Sequence, residues 1–312
     1  MADTSPEGGS PPPFARVTVI GLGLIGSSIA RGVRARMPGV QVTGYDASAE
    51  VRDTARAIDL CDDVADSAGA SVTDADLVVL CVPVGAMGGA AAAIADALPA
   101  GAIVSDVGSC KEAVAAALRA ALPEAVIVPA HPVAGTEQSG PESGFASLFH
   151  GRWCILTPPE GTDPGAIARV AAFWRLLGAE VEQMAADHHD RVLAITSHLP
   201  HLIAYTIVGT ASDLEAVTES EVVKYSAGGF RDFTRIAASD PTMWRDVFLT
   251  NREAVLEMLQ RFSEDLTALQ RAIRWGKGDE LFDLFTRTRA IRRGIVEQGQ
   301  DDAKPDFGRT HD

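Results

Sequence analysis

The segment Val17-Thr18-Val19-Ile20-Gly21-Leu22-Gly23-Leu24-Ile25-Gly26-Ser27-Ser28-Ile29-Ala30 constrains this chain more than any other. A β-branched run enters a G-x-G-x-x-G turn, and a stretch with helical character leaves it. Such a turn alone is a weak signal; a strand before it and a helix after it give it a physical meaning. Gly21 permits the tight turn, Gly23 has no Cβ to hold a pyrophosphate away from the backbone, and Gly26 lets helix and strand pack closely. The helix start, with the backbone of Leu24 and Ile25, offers N–H groups and a partial positive charge to an anion. The next apolar run ends at Tyr45-Asp46, where an acidic residue about 20 positions past the motif hydrogen-bonds ribose hydroxyls and repels the extra phosphate of NADP. NAD is therefore the expected cofactor.

Around this motif the chain alternates. Between Phe14 and about Pro159, the runs Val17–Ile20, Val40–Tyr45, Leu77–Val82, Ala102–Ser105, Val126–Val128 and Cys154–Leu156 are separated by Ala-rich helical stretches, which predicts parallel βαβ units. One more helix (Ile167–Leu177) and strand (Ala179–Gln183) extend the pattern. Val82 and Pro83, closing the third run, are expected to join Gly21, Gly23, Leu24, Ile25, Gly26 and Asp46 around the cofactor. From Ala185 onward helical periodicity takes over. A helix begins near Ala186, and Pro200 is predicted to kink it. A second begins at Asp240, a good N-cap followed by proline. Trp244, Phe248, Val255, Leu259, Phe262, Leu266, Leu269 and Ile273 then trace one stripe as far as Gly276. As one helix this would be roughly 50 Å long, more than a compact monomer needs. The stripe is read as a face for a second copy, although it would also serve to cover the chain's own core. The predicted fold is thus α/β: a Rossmann-type dinucleotide-binding domain over 14–184 followed by an all-helical dimerisation domain over 185–298, with disordered tails at 1–13 and 299–312.

Charge narrows the partners. Against 27 Lys and Arg stand 42 Asp and Glu, a formal net charge of -15. An acidic chain repels phosphate backbones, so nucleic acid is not an expected partner, and an anionic substrate must be captured by a few local cations. The four cysteines, Cys61, Cys81, Cys110 and Cys154, form no C-x-x-C pair, so no zinc or redox motif is expected. The first residues lack a positive n-region and an apolar h-region, and no uninterrupted apolar run reaches the length of a membrane span. A cytoplasmic protein with no membrane partner is expected.

Four further segments carry chemistry. Ser105-Asp106-Val107-Gly108-Ser109-Cys110-Lys111 closes a strand and opens a helix, placing Ser109 at the carboxyl edge of the sheet, where ligands bind in such folds. Lys111 falls in a first helical turn, where the dipole disfavours a cation; pairing with Asp106 or with a bound anion would explain it. His131, in Pro129-Ala130-His131-Pro132, follows the next strand and is also placed at that edge, where it could act as a general base near neutral pH. Ser197-His198-Leu199-Pro200-His201 sets His198 and His201 on one helical face. There is no H-E-x-x-H pattern and no cysteine or acidic ligand at the usual spacing, so a polar role toward substrate is preferred and no metal is expected. Finally, Gly228-Gly229-Phe230-Arg231-Asp232-Phe233-Thr234-Arg235 runs on toward Ser239–Trp244, and Arg235 could grip a carboxylate bidentately, a surface ion pair being its ordinary alternative.

Taken in order, GLGLIGSS at Gly21–Ser28, SDVGSCK at Ser105–Lys111, HPVAGTEQSG at His131–Gly140, SHLPH at Ser197–His201 and GGFRDFTRIAASDPTMW at Gly228–Trp244 resemble the prephenate and arogenate dehydrogenases over nearly the whole chain, from Val17 to about Gln298. The resemblance implies NAD-dependent oxidative decarboxylation of prephenate, arogenate or both, in tyrosine biosynthesis, by a homodimer formed through the helical domain. It implies that His131 accepts the proton of the ring hydroxyl and that Ser109 bridges that hydroxyl, the histidine and the cofactor. Arg235 would bind the substrate carboxylate, His201 would add affinity, and Glu137, His198, Asp232 and Trp244 would line or gate the pocket. The family's second serine-region position is Cys110 here, with no role assigned. A β-hydroxyacid dehydrogenase has a similar architecture but a catalytic lysine on the interdomain helix, and Ala186–Val208 contains none. A non-catalytic NAD-binding protein would not need His131, Ser109 and Arg235 together.

Overall fold

A computed structural model of the chain describes residues 11–136, 138–218, 228–295 and 297. Six strands form the first sheet: β1 (Arg16–Ile20), β2 (Gln41–Tyr45), β3 (Asp63–Val64), β4 (Leu77–Leu80), β5 (Ile103–Asp106) and β6 (Val126–Ile127). All pair in parallel, in the order β3-β2-β1-β4-β5-β6. Between them run α1 (Leu24–Arg36), α2 (Ala49–Ala57), α3 (Ala68–Val72), α4 (Met87–Ala92) and α5 (Lys111–Ala121). All four residues of β4 are buried. Leu77 and Val79 pack into one core cluster with Ile29 and Val33, while Val78 and Leu80 pack into another with Met87, Val114 and Leu118. A strand covered on both faces needs apolar side chains at every position, which is why it reads as a continuous run. The strand order reverses its growth between β1 and β4, and Gly21 leaves β1 at that switch point, where ligands bind in doubly wound sheets.

A second sheet departs from the predicted single parallel set. β7 (Ala130–Pro132), β8 (Trp153–Leu156) and β9 (Glu180–Gln183) lie in that order, with α6 (Pro164–Leu176) between β8 and β9 in the chain. β8 is antiparallel to β7 and parallel to β9. His131, expected just after a strand at the carboxyl edge of the first sheet, therefore lies inside a strand of this second sheet, paired with Ile155, while its neighbour Ala130 donates its N–H to Asp106 at the carboxyl end of β5. Three residues ending in proline give no periodicity to read, and proline is tolerated here because β7 is an edge strand.

The helical elements that follow are α7 (Ala186–Leu193), a π turn (Ala194–His198), α8 (Leu199–Thr218), α9 (Gly228–Thr234), a 3₁₀ turn (Arg235–Ala238), α10 (Pro241–Thr250), α11 (Arg252–Arg274) and α12 (Gly278–Ile295). Pro200 has no N–H to continue the ladder, and the helix winds as a π turn just ahead of it. Asp240 caps α10 by accepting the Met243 N–H at 2.8 Å, and Gly276, at φ +66, terminates α11. The helix predicted to run unbroken from Asp240 to Ile273 is interrupted at Asn251, which leaves helical geometry at φ -99 and ψ 35. Its buried side chain donates instead to the Asp190 carbonyl, at 2.8 Å. That partner is far away in the chain, so the stripe could not reveal the break.

By compactness the chain divides into two units. The first runs through His198 and takes back Ser239–Arg252; the second holds Leu199–Ala238 and the chain from Glu253. The first thus contains both sheets, α1 to α7 and α10, and the second contains α8, α9, α11 and α12. The helical run Ala186–Leu214 is long and apolar enough by composition to cross a membrane. His189, Asp190 and His198 on that run are nevertheless buried in the first unit, so its N-terminal part is a packed helix of a folded domain.

Candidate active site

The glycine turn is built to receive a dinucleotide. Gly21 has φ +96, and a Cβ there would lie 2.4 Å from the Cys81 carbonyl oxygen. At Gly26 a Cβ would come within 1.9 Å of the Gly21 carbonyl oxygen. At Gly23 a Cβ would meet nothing within 4 Å, so the space in front of it is open. The first turn of α1, holding Leu24 and Ile25, carries no acidic side chain and no side-chain cap, leaving its positive end for an anion. Asp46, just past β2, accepts the N–H of Leu22 and that of Ser48, each at 2.9 Å. Its carboxylate is thereby fixed beside the turn. Val82 follows β4 and its side chain borders Gly21, while Pro83 precedes a short 3₁₀ turn, Val84–Ala86. These residues fit NAD: an open backbone cradle for the pyrophosphate and a held carboxylate for the ribose.

Around His131 lies a buried polar cluster. Asp106, at the carboxyl end of β5, and Lys111, at the start of α5, are both fully buried and pair at 2.5 Å. Lys111 Nζ also donates to the Ala130 carbonyl at 2.6 Å, and Asp106 accepts the N–H of Gly108 at 2.7 Å. Of the two partners open to Lys111 from sequence, Asp106 is the one it meets. Buried charges persist only when paired and hydrogen-bonded, and this pair locks β7 against the β5–α5 connection. His131 Nδ1 stands 2.8 Å from His189 Nε2, with the ring planes at 70°. Burial, then the nearby charges of His189, Lys111 and His198, hold the His131 pKa well below 6.5.

The other expected site residues divide between the units. Ser109 is half-buried between β5 and α5. His198 is fully buried on the π turn, its ring 6.0 Å from that of Trp244 and its Nδ1 3.1 Å from Asn251 Nδ2. Trp244 is buried on α10 and also packs on Phe248. Ser109, His131, His198 and Trp244 thus belong to the first unit, while His201, Asp232 and Arg235 belong to the second. There His201 is half-buried on α8, and Asp232 and Arg235 are exposed. Glu137 lies outside the described residues. Cys110 is fully buried, with its Sγ 3.8 Å from the Val247 carbonyl of α10. Burial and then the charge of Asp190 push its thiol up to about 12, so it is a packing residue rather than a nucleophile.

Sequence reasoning passed over His189, Asp190 and Asn251. A signal existed for the first two: His189, Asp190, Leu193, Ala194 and His198 fall on one buried helical stripe, and polar residues on an otherwise apolar stripe call for buried partners. For Asn251 there was none.

Comparison with known proteins finds likeness over most of the chain. Residues 29–183 match the family model for the prephenate dehydrogenase nucleotide-binding domain, and residues 185–287 match that for the prephenate dehydrogenase dimerization domain. The chain is 48% identical to cyclohexadienyl dehydrogenase of Zymomonas mobilis over 282 residues, 90% of this chain and 96% of that protein. It is 31% identical to prephenate dehydrogenase of Bacillus subtilis, over 89% of this chain and 76% of that one. Among solved structures, prephenate dehydrogenase from Aquifex aeolicus, in complex with hydroxyphenyl propionate and NAD+, superposes with a TM-score of 0.84 at 35% identity, over 90% of this chain and 98% of that chain. Synechocystis arogenate dehydrogenase gives 0.76 at 26% identity, over 90% and 99%.

Proposed function

The chain belongs to the prephenate dehydrogenase family, and from that premise we propose that it oxidises and decarboxylates prephenate, arogenate or both with NAD, in the cytoplasm, as a step of tyrosine biosynthesis. The observation that carries this reading is a buried, neutral histidine, His131, in the same unit as an open glycine cradle. Bound NAD supplies the hydride acceptor. His131 takes the proton of the ring hydroxyl as hydride leaves the same carbon, and Ser109 holds that hydroxyl. The resulting ring ketone is vinylogous to the ring carboxylate, so CO2 departs and its electron pair runs through the ring to the ketone oxygen. The ring becomes aromatic, and the proton held by His131 can return to that oxygen. Arg235 anchors a substrate carboxylate, His201 adds affinity, and His198, Trp244, Asp232 and Glu137 shape the pocket. Gly21, Gly23, Leu24, Ile25, Gly26, Asp46, Val82 and Pro83 hold the cofactor. The dimerization-domain match and the exposed apolar side chains of α11 and α12 support a homodimer.

The test is an assay of the purified protein with prephenate and with arogenate, each with NAD and with NADP, following reduced cofactor and CO2 together. One equivalent of each per turnover with NAD is expected, with a clear preference over NADP. Failure to turn over either acid overturns the reading.

A further inference from the structure

His131 is the first member of a chain of buried hydrogen bonds. Beyond its contact with His189, His189 Nδ1 lies 2.8 Å from Asp190 Oδ1. His189 is fully buried and Asp190 nearly so. Asp190 also accepts the backbone N–H of Lys111 at 2.7 Å and of Glu112 at 3.0 Å, at the positive end of α5. Burial opposes its ionisation, but the hydrogen bonds from His189, Lys111 and Glu112 outweigh it, and the Asp190 pKa falls below the ordinary carboxylate value. Asp106, the other nearby carboxylate, is engaged by Lys111.

The protons in this chain follow by elimination. An ionised carboxylate only accepts, so the His189 Nδ1 carries a hydrogen. Burial holds the His189 pKa below its ordinary value; its neutral imidazole has one N–H, so His189 Nε2 is bare and accepts. The hydrogen between the two rings is then on His131 Nδ1, and the lone pair of His131 is on Nε2, the nitrogen that His189 does not engage. We propose that His189 and Asp190 are positioning residues that hold His131 in its Nδ1–H tautomer, so that Nε2 is presented as proton acceptor for the substrate hydroxyl. The inference rests on the reading of His131 as the base. It assigns Asp190 the part an orienting carboxylate plays behind a catalytic histidine, carried here through a second imidazole. His189 transmits the order and also spaces the carboxylate away from the reacting atoms.

The direct test is the ¹⁵N spectrum of histidine-labelled enzyme, with the His131 signals assigned by their loss in His131→Asn. A protonated Nδ1 and a bare Nε2 are expected. In Asp190→Asn the side chain is no longer an ionised, acceptor-only group, its NH2 opposes a backbone N–H of α5, and the hydrogen of His131 is no longer held on Nδ1. Single-turnover hydride transfer should then slow by about a hundredfold or more, the scale of losing a general base, with substrate KM and NAD Kd little changed. His189→Leu leaves the carboxylate and its backbone bonds in place and should slow the same step, which keeps the test decisive if Asp190→Asn does not fold. A wild-type His131 protonated at Nε2 overturns the proposal. So does either variant keeping the wild-type rate while His131→Asn loses it. If His131→Asn itself retains the rate, the base reading fails first, and the relay with it.

Discussion

At the scale of single residues, the proposed role of His131 as the base predicts how activity depends on pH. His131 must be neutral to accept a proton, and protonation as the pH falls through its folded pKa switches the base off. Because burial and then His189, Lys111 and His198 hold that pKa well below 6.5, kcat/KM should stay level through neutral pH, with its acidic limb below 6.5. A limb above that value in the pH–rate profile would show that some other group carries the proton. Arg235 belongs to the second unit, and as a bidentate anchor its loss should act on substrate and not on cofactor. Arg235→Gln is expected to cost about 2 to 5 kcal/mol in kcat/KM, mostly as a rise in KM for the ring acid, with NAD Kd unmoved. If Arg235 were an ordinary surface ion pair the cost would stay under about 1 kcal/mol, and a KM within a few-fold of wild type would reject it as the anchor. Both residues stood out in the sequence by the company they keep. His189 and Asp190 did not, because what makes them matter is a contact with His131 across 58 positions.

The elements show the same division between local and distant causes. The β1–α1 turn was legible because its glycines fall together in one short motif, although the demands on them differ, a positive φ at Gly21 and close packing at Gly26. A side chain at Gly23 faces open space at φ -72, while one at Gly26 collides with the Gly21 carbonyl. Gly23→Ala should therefore fold with an unchanged Tm and lose NAD affinity by about tenfold or more, which corresponds to at least about 1.4 kcal/mol. Gly26→Ala should lose both Tm and NAD binding. Calorimetric titration beside thermal unfolding separates the two, and equal losses of Tm in both variants would refute the assignment of Gly23 to the pyrophosphate. The ends of α10 and α11 were equally legible where they rest on local chemistry, at Asp240, Pro241 and Gly276. The break at Asn251 was not, since its side chain is satisfied by Asp190 and by His198, neither of them within reach of a periodicity argument. β7 escaped for the opposite reason: it is too short to have a period.

For the whole molecule, the second unit carries apolar surface that one chain leaves uncovered. Leu256, Leu266, Ile273 and Trp275 in or just after α11, with Phe282 and Phe285 in α12, are all about half exposed or more. Apolar patches of that kind mark interaction surfaces, and with the dimerization-domain match a second copy is the expected occupant. Leu266→Glu combined with Phe282→Glu should shift the protein from dimer to monomer in sedimentation; a double variant that stays dimeric would place the interface elsewhere. The amino-acid sequence by itself determined the alternation of strands and helices, the dinucleotide turn, the caps, and the set of side chains able to do chemistry. All of these follow from interactions within a few residues, or from the alternation of apolar and polar positions that burial imposes. Only the tertiary structure decided that Lys111 answers Asp106, that β8 runs against β7, that Asn251 ends α10, and that an imidazole and a carboxylate stand behind His131. Those outcomes depend on which buried polar groups meet once the backbone is closed, and a buried donor or acceptor must find its partner wherever the fold brings one, regardless of distance along the chain.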